Sequence, residues 1–290
     1  MEHHYRLVNV FTVDDDPFSG NPLAVFVDAS SLDRDRMQDI ARQLNLSETT
    51  FVTALDPGDG VDATVRVFTP GYELPFAGHP TLGTAYVVAE ELADVRPSVV
   101  LGMPAGRVPV RLTSDRSGRE RLTLTTAVQP QVREVTATTE QLAAMVGLTG
   151  AELGDDPLWV NTGVEQLIVP VRHVEALRRA VADPRLLRVH GQSGLGESLV
   201  YLWTPTGPDT VEARLFFTPG AGVVEDPATG SACANLGGWF HHRGERGLHR
   251  VIRQGDAVNR PSQLFLEVLP DGAIEVGGAV YDLGAGTMRF

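Results

Sequence analysis

The chain has 290 residues, of which 42% are apolar, and a formal net charge of −13 at pH 7. This length suits two domains of ordinary size, and the acidic balance excludes a basic surface that tracks phosphates, so nucleic acid is not expected as a partner. All its basic residues are arginine and its one cysteine is Cys233, which excludes a Schiff-base lysine, a phosphate-loop lysine, an internal disulfide and a two-thiol mechanism. Acid–base catalysis is therefore left to Glu, Asp or His.

The amino-terminal stretch 1–18 lacks a positively charged start followed by an apolar run. No stretch of about 18 uninterrupted apolar residues occurs in the sequence, which is the length that a membrane-spanning helix needs. We expect a soluble cytoplasmic protein that does not contact a membrane.

The first predicted elements are two strands and an amphipathic helix. The runs VNVFTV and PLAVFV are typical of strands, and Met37, Ile40, Ala41 and Leu44 share one face of the helix that follows. Glu48 comes next, in LNLSETTFV, between the end of this helix and the start of another strand. By itself, that position is ordinary for an exposed glutamate.

A second helix is predicted to open at Gly78-His79-Pro80 and to continue through TLGTAYVVAEEL. The strand-like runs SVVLGM, RVPVRLTS and RERLTLTT follow, with a DRSG turn between the last two, and they close the first half on antiparallel pairing. The polar, proline-interrupted segment 125–141 predicts a domain boundary near residue 128. The predicted lobes are therefore 1–127 and 128–280.

The second half repeats the order of the first. FTPG occurs at 68–71 and again at 217–220, a separation of 149 residues, and each copy follows a strand-like run and precedes a small-residue stretch. Glu48 and Glu197 each lie 20 residues before the phenylalanine of their FTPG. This order predicts a duplicated α+β protein of two pseudo-symmetric lobes with a cleft between them.

The counterpart of the GHP segment in the second half is EDPATGSA. Asp is a favoured N-cap and Pro a favoured first helical residue, so we expect Asp226 and Pro227 to begin a helix. Two helix starts that face one cleft would hold a carboxylate through their free N–H groups and dipoles. Gly78, Gly230 and Ser231 are small enough to let a ligand approach the backbone there.

Simpler interpretations compete with these assignments. His79 before a proline is also typical of a turn residue, Asp226 of an N-cap with no further role, and Ser231 of a local hydrogen bond in the first turn of a helix. From the residues alone, both interpretations stay open.

Two other patterns in the sequence bear on binding sites. A metal site in FHHRGERGLH at 240–249 is disfavoured, because His241 and His242 are adjacent and do not share a helix face. GQSGLGE at 191–197 departs from GxGxxG and precedes a strand rather than a helix, so it does not predict a dinucleotide site.

Four ordered motifs, SGNPLAVF, LNLSETTFV, FTPGYELPFAGHPTLGTA and EDPATGSA, resemble those of the PhzF family of phenazine-biosynthesis isomerases over nearly the whole chain. The resemblance implies a diaminopimelate epimerase-like fold, in which each lobe is a β-barrel-like mixed sheet around a central helix and the active site lies between the lobes. It implies no cofactor, no metal and a homodimer, and it makes 281–290 a candidate to return to the first lobe.

The resemblance also implies roles for individual residues. Glu48 would remove a proton from carbon and return it elsewhere. The residues that would orient the substrate and help to move protons are His79, Asp226 and Ser231. The residues whose backbone N–H groups would hold the substrate carboxylate are Gly78 and Gly230.

The expected activity is a cofactor-independent isomerisation of a small carboxylate-bearing metabolite, either a double-bond shift or an inversion at one centre, with Glu48 as the acid–base group. Cys233 is expected to be a buried packing residue, and Glu197, which lies in no family motif, to be dispensable. The alternative is a small-molecule-binding or scaffold protein of the same fold without turnover. A carboxylate that stabilises the protein without deuterium uptake from the solvent would favour that alternative.

Overall fold

A computed structural model describes residues 2–14, 16–92, 96–114, 120–194, 198–219 and 222–290. The chain divides into two compact units, Met1–Thr125 with Gly277–Phe290, and Thr126–Val276. The DRSG turn at 115–118, Gly220 of the second FTPG, and Glu197 lie outside the described residues.

The first unit is a mixed sheet with two helices. Its strands are β1 (Glu2–Val10), β2 (Asn21–Phe26), β3 (Thr49–Gly58), β4 (Val61–Phe68), β5 (Glu73–Leu74), β6 (Ser98–Met103), β7 (Gly106–Ser114), β8 (Glu120–Thr125) and, from the end of the chain, β18 (Val280–Arg289); its helices are α1 (Arg34–Leu44) and α2 (Gly78–Leu92). Strand β1 pairs antiparallel with both β2 and β18. Strands β2 and β3 are parallel, as are β4 and β6, while β3–β4, β6–β7 and β7–β8 are antiparallel.

Helix α2 is the central element of this unit and begins at Gly78, as the sequence predicted. It contacts β1, β2, β3, β4, β6, β7 and β8. A helix surrounded in this way needs small residues where strands approach it closely. At Gly83, an added Cβ would lie 2.7 Å from Leu23 Cδ2 and 2.8 Å from Val10 Cγ2, so a larger residue would push against the sheet.

Helix α1 leads the chain to Glu48. Asp33 caps it by accepting a hydrogen bond from the backbone N–H of Arg36 at 2.8 Å, and the predicted apolar face is buried at Met37 and elsewhere. Asn45 ends the helix in the left-handed conformation, with φ 52°. Strand β3 starts at Thr49, so Glu48 lies directly between the helix end and the strand start.

The second unit contains more helices than the first. Its strands are β9 (Gln131–Glu134), β10 (Leu158–Asn161), β11 (Glu165–Pro170), β12 (Leu199–Pro205), β13 (Thr210–Phe217), β14 (Val224–Asp226), β15 (Leu248–Gln254), β16 (Ser262–Val268) and β17 (Ile274–Gly278), the last of which continues into the first unit. Its helices are α3 (Thr139–Met145), α4 (Val174–Arg179), α5 (Pro184–His190) and α6 (Gly230–His242), with short 3-10 helices at Gly150–Glu152 and Asp256–Val258.

The strand pairing of the second unit repeats that of the first. Strands β10 and β11 are antiparallel, β11 and β12 parallel, β12 and β13 antiparallel, and β13 and β15 parallel. The same sequence of pairings runs from β1 to β6 in the first unit. The architecture is therefore α+β and duplicated, with α2 and α6 as equivalent helices.

The predicted start of α6 was wrong. Asp226 is the last residue of β14, paired with Leu215 of β13, and the N-cap of α6 is Thr229. The cross-strand pairing holds Asp226 in extended backbone, so the helix begins only at Gly230. The Asp226 side chain accepts a hydrogen bond from the Thr229 hydroxyl group.

Cys233 lies in α6 and is fully buried, as predicted. Across the described parts of the chain, no three His, Cys, Asp or Glu side chains are grouped in a way that would hold a metal ion. Within those same parts, every helix is too short or too polar to cross a lipid bilayer.

Candidate active site

Glu48 and His79 come together in the first unit. Glu48 precedes β3 and His79 is the second residue of α2, and His79 Nδ1 lies 3.5 Å from Glu48 Oε2. The His79 side chain is 6% exposed and the Glu48 side chain 18% exposed. Both are therefore largely removed from water, while the Glu48 side chain keeps some contact with solvent.

The imidazole of His79 is neutral at physiological pH. Burial lowers the pKa of His79 from 6.5 to about 3, against a smaller opposing effect of the Pro22 carbonyl group. The contact with Glu48 is therefore a polar contact of a neutral ring and not an ion pair. His79 Nε2 is buried and makes no hydrogen bond to any described residue, so its hydrogen-bonding capacity is unused within the described parts of the chain.

A buried hydrogen bond connects the elements that carry this pair. Thr84 Oγ1 in α2 donates to Thr50 Oγ1 in β3 at 2.8 Å, and both side chains are completely buried. Thr50 lies two residues after Glu48, and Thr84 lies five residues after His79. The bond thus fixes the helix that carries the imidazole against the strand next to the carboxylate.

In the second unit, Asp226 is held in a small hydrogen-bonded group. The Thr229 hydroxyl group donates to Asp226 Oδ2, while Gln254 Nε2 donates to Thr229 Oγ1 at 3.0 Å and to the Asp226 backbone oxygen at 2.9 Å. Because Thr229 Oγ1 accepts a hydrogen bond from the Gln254 amide, the Thr229 hydroxyl hydrogen is directed to the Asp226 carboxylate. Thr229 and Gln254 thus both donate hydrogen bonds to Asp226, one to its side chain and one to its backbone.

Tyr201 of β12 lies on the same row of the sheet as Asp226. It pairs with Leu215, which in turn pairs with Asp226, so the three side chains share one face. Burial raises the pKa of Tyr201, and the nearby Cys233 and Asp226 raise it further. Tyr201 therefore stays a neutral phenol beside Asp226.

Gly230 and Ser231 form the first turn of α6. The first backbone hydrogen bond of this turn runs from the Cys233 N–H to the Thr229 oxygen at 3.0 Å, so the N–H groups of Gly230 and Ser231 precede it. In α2, Gly78 and His79 likewise precede the bond from the Thr81 N–H to the Ala77 oxygen. Both helix starts thus present backbone donors ahead of the first helical bond.

The Ser231 side chain accepts a hydrogen bond from Gln166 Nε2 at 3.1 Å. Sequence reasoning missed Gln166, along with Asn235, Thr229 and Gln254. The one signal for them is a polar residue inside an otherwise apolar element, such as the Gln of QLIVP and the Asn of ACANLGG. That pattern does not reveal which distant partner each side chain bonds.

Comparisons with known proteins agree with this architecture. The family model for phenazine biosynthesis-like proteins, PhzC-PhzF, matches residues 8–281. An uncharacterized isomerase of Pasteurella multocida is 38% identical, over 98% of this chain and 93% of its own length. Trans-2,3-dihydro-3-hydroxyanthranilate isomerase of Pseudomonas aeruginosa is 35% identical, over 95% of each chain. The crystal structure of a Bacillus anthracis PhzF-family protein, 22% identical, covers 100% of both chains with a TM-score of 0.87 and shares the fold.

The isomerase relatives and the family model define the protein as an isomerase. The chain belongs to the phenazine biosynthesis-like (PhzC-PhzF) family, which confirms the resemblance seen in its four motifs.

Proposed function

We propose that the protein isomerises a small carboxylate-bearing metabolite by moving a C–H proton, without a cofactor, with Glu48 as the acid–base group. The observation that carries the proposal is the 3.5 Å contact between Glu48 Oε2 and Nδ1 of a buried, neutral His79. A carboxylate next to a neutral donor–acceptor ring suits proton transfer to and from carbon at neutral pH.

The proton balance needs no oxidant or reductant. The Glu48 carboxylate takes a proton from a C–H bond, and the electron pair of that bond delocalises into the neighbouring unsaturated system. The double bond shifts, and the Glu48 carboxyl group returns the proton to another carbon. The neutral His79 ring holds a substrate polar group at Nε2 during both steps.

The developing negative charge is assigned to backbone donors. The N–H groups at Gly78 and Gly230 lie at helix starts, where the helix dipole favours an anion. One well-placed donor of this kind contributes about 3 kcal/mol to transition-state stabilisation. Asp226 and Ser231 orient the substrate in the same proposal.

A first substrate to test is trans-2,3-dihydro-3-hydroxyanthranilate, the compound in the name of the Pseudomonas aeruginosa relative, which carries a carboxylate. In deuterated water, the wild-type protein is expected to incorporate deuterium at carbon during isomerisation, and Glu48→Gln is expected not to. Full exchange by a folded Glu48→Gln protein would remove Glu48 from the role. Carboxylates that raise the melting temperature but take up no deuterium would instead support binding without turnover.

A further inference from the structure

Ser231 lies at the end of a hydrogen-bonded group that we call the amide network: Thr162, Val164, Gln166, Asn235 and Ser231. Gln166 is 1% exposed and Asn235 is completely buried. Asn235 lies four residues after Ser231, so the two side chains share a face of α6, and Gln166 of β11 reaches both.

The backbone determines how the Asn235 amide is turned. The Thr162 N–H donates to Asn235 Oδ1 at 2.8 Å, and Asn235 Nδ2 donates to the Val164 oxygen at 2.8 Å. A backbone N–H only donates and a backbone oxygen only accepts, so a flipped Asn235 amide would face a donor with a donor and an acceptor with an acceptor.

This orientation passes along the network to Ser231. Asn235 Nδ2 also donates to Gln166 Oε1 at 2.8 Å, which leaves the Gln166 NH₂ group to face Ser231 Oγ at 3.1 Å. An NH₂ group only donates, so Ser231 Oγ must accept. The Ser231 hydrogen therefore cannot point at Gln166, and no described residue accepts it.

We propose that Gln166 and Asn235 are positioning residues that turn Ser231 into a dedicated hydrogen-bond donor toward an oxygen of a carboxylate ligand. Ser231 is partly exposed, whereas Gln166 and Asn235 are buried, so the Ser231 hydroxyl group is the end of this chain of side chains that a ligand can reach. A serine hydroxyl on the surface rotates freely between donating and accepting. Here the network removes that freedom before the ligand arrives, which strengthens binding of an acceptor. This inference rests on the proposed function, since it assigns the ligand class to the same residue.

The test reverses the direction of one hydrogen bond. Gln166→Glu keeps the shape of the side chain and still accepts from Asn235, but an ionised carboxylate accepts from Ser231 as well and draws its hydrogen away from the ligand. Gln166→Met removes the bond and leaves the hydroxyl free to rotate. The affinity for anthranilate is measured by calorimetry at pH 8. We expect Gln166→Glu to bind anthranilate at least about 10-fold more weakly than wild type does, and Gln166→Met to bind it within about 3-fold of wild type.

A purely structural role of Gln166 also predicts that Gln166→Glu is the more harmful change, because a buried carboxylate is costly, but it predicts the same loss whether or not Ser231 carries a hydroxyl group. Lower pH is expected to restore binding to Gln166→Glu, since a protonated carboxyl group donates to Ser231 again. The Ser231→Ala background tests whether the new carboxylate weakens binding simply by repelling the anionic ligand. In that background, Gln166→Glu is expected to cause little further loss of affinity. A full additional loss in that background, or equal effects of the two Gln166 substitutions, would overturn the proposal.

Neutron diffraction from crystals in deuterated buffer examines the same point without a ligand. Density for the Ser231 deuterium directed away from Gln166 is expected, and density on the line between the two side chains would overturn the proposal. Anthranilate binding with the predicted variant order, but no deuterium uptake by any substrate, would contradict only the proposed proton transfer.

Discussion

Thr84 of helix α2 donates a 2.8 Å hydrogen bond to Thr50 of strand β3, and neither side chain reaches solvent. This bond links the helix that carries His79 in its first turn to the strand that begins beside Glu48. A buried hydroxyl that loses its partner keeps the full cost of desolvation, so the pair is sensitive to the removal of either member.

Thr84→Val is expected to lower the free energy of unfolding by about 1 to 3 kcal/mol, because it leaves the Thr50 hydroxyl group buried without its donor. Chemical denaturation provides the measurement. Thr84→Ser keeps the hydroxyl group and serves as the matched control. The double variant Thr50→Val/Thr84→Val is expected to lose less than the sum of the two single variants, and strict additivity would show that the hydrogen bond does not couple them.

His79 links stability to pH. Its pKa is about 3 in the folded protein and 6.5 without burial, so below pH 6.5 the unfolded chain takes up a proton that the folded chain refuses. The contribution of this pKa difference to the free energy of unfolding is fully present above pH 6.5. It is lost as the pH falls toward 3, by about 1.4 kcal/mol for each pH unit.

Denaturation of wild type and His79→Gln between pH 7 and pH 5 measures this loss. The wild-type stability is expected to fall more steeply, since glutamine does not titrate. Parallel curves would mean that His79 is not buried as a neutral ring. The His79 ring signals in NMR spectra are likewise expected to stay unchanged from pH 8 to pH 5.

Cys233 is predicted to be chemically silent in the folded protein. Burial raises the pKa of its thiol, so the reactive thiolate is scarce as well as inaccessible. A thiol reagent such as Ellman's is expected to react in denaturant and not in buffer at pH 8. Cys233→Ala is expected to retain the turnover number of wild type. A folded Cys233→Ala protein without turnover would contradict a mechanism in which the thiol has no part.

Two glycines mark the tight contacts of the central helices. A Cβ at Gly83 would lie 2.7 Å from Leu23 Cδ2, and one at Gly237 would lie 2.7 Å from Ile274 Cγ2. Gly83→Ala and Gly237→Ala are each expected to destabilise the protein by about 1 to 3 kcal/mol, although alanine favours a helix. Thermal unfolding measures the effect, and a higher melting temperature in either variant would show that the sheet yields to the added methyl group.

Much of the fold was predictable from local patterns. The apolar face of α1, the start of α2 at Gly78 and the two FTPG segments were visible because they depend on residues near one another in the chain. The start of α6 was not, since Asp226 is still the last residue of a strand, paired with Leu215, and the helix begins only at Gly230. Cap preferences describe a helix end in isolation and do not include the competing strand.

By itself, the sequence determined which chemistry is absent, in which order the elements repeat and which family the chain belongs to: it has no lysine, only one thiol, an internal repeat and four ordered motifs of one family. The tertiary structure alone decided the state of the reactive groups. It buries His79 enough to keep the ring neutral, and it uses Gln166 and Asn235, distant from each other in the chain, to direct the hydrogen of Ser231. Protonation and hydrogen-bond direction depend on the loss of water and on the partners that replace it, and both are set only when segments far apart in sequence pack together.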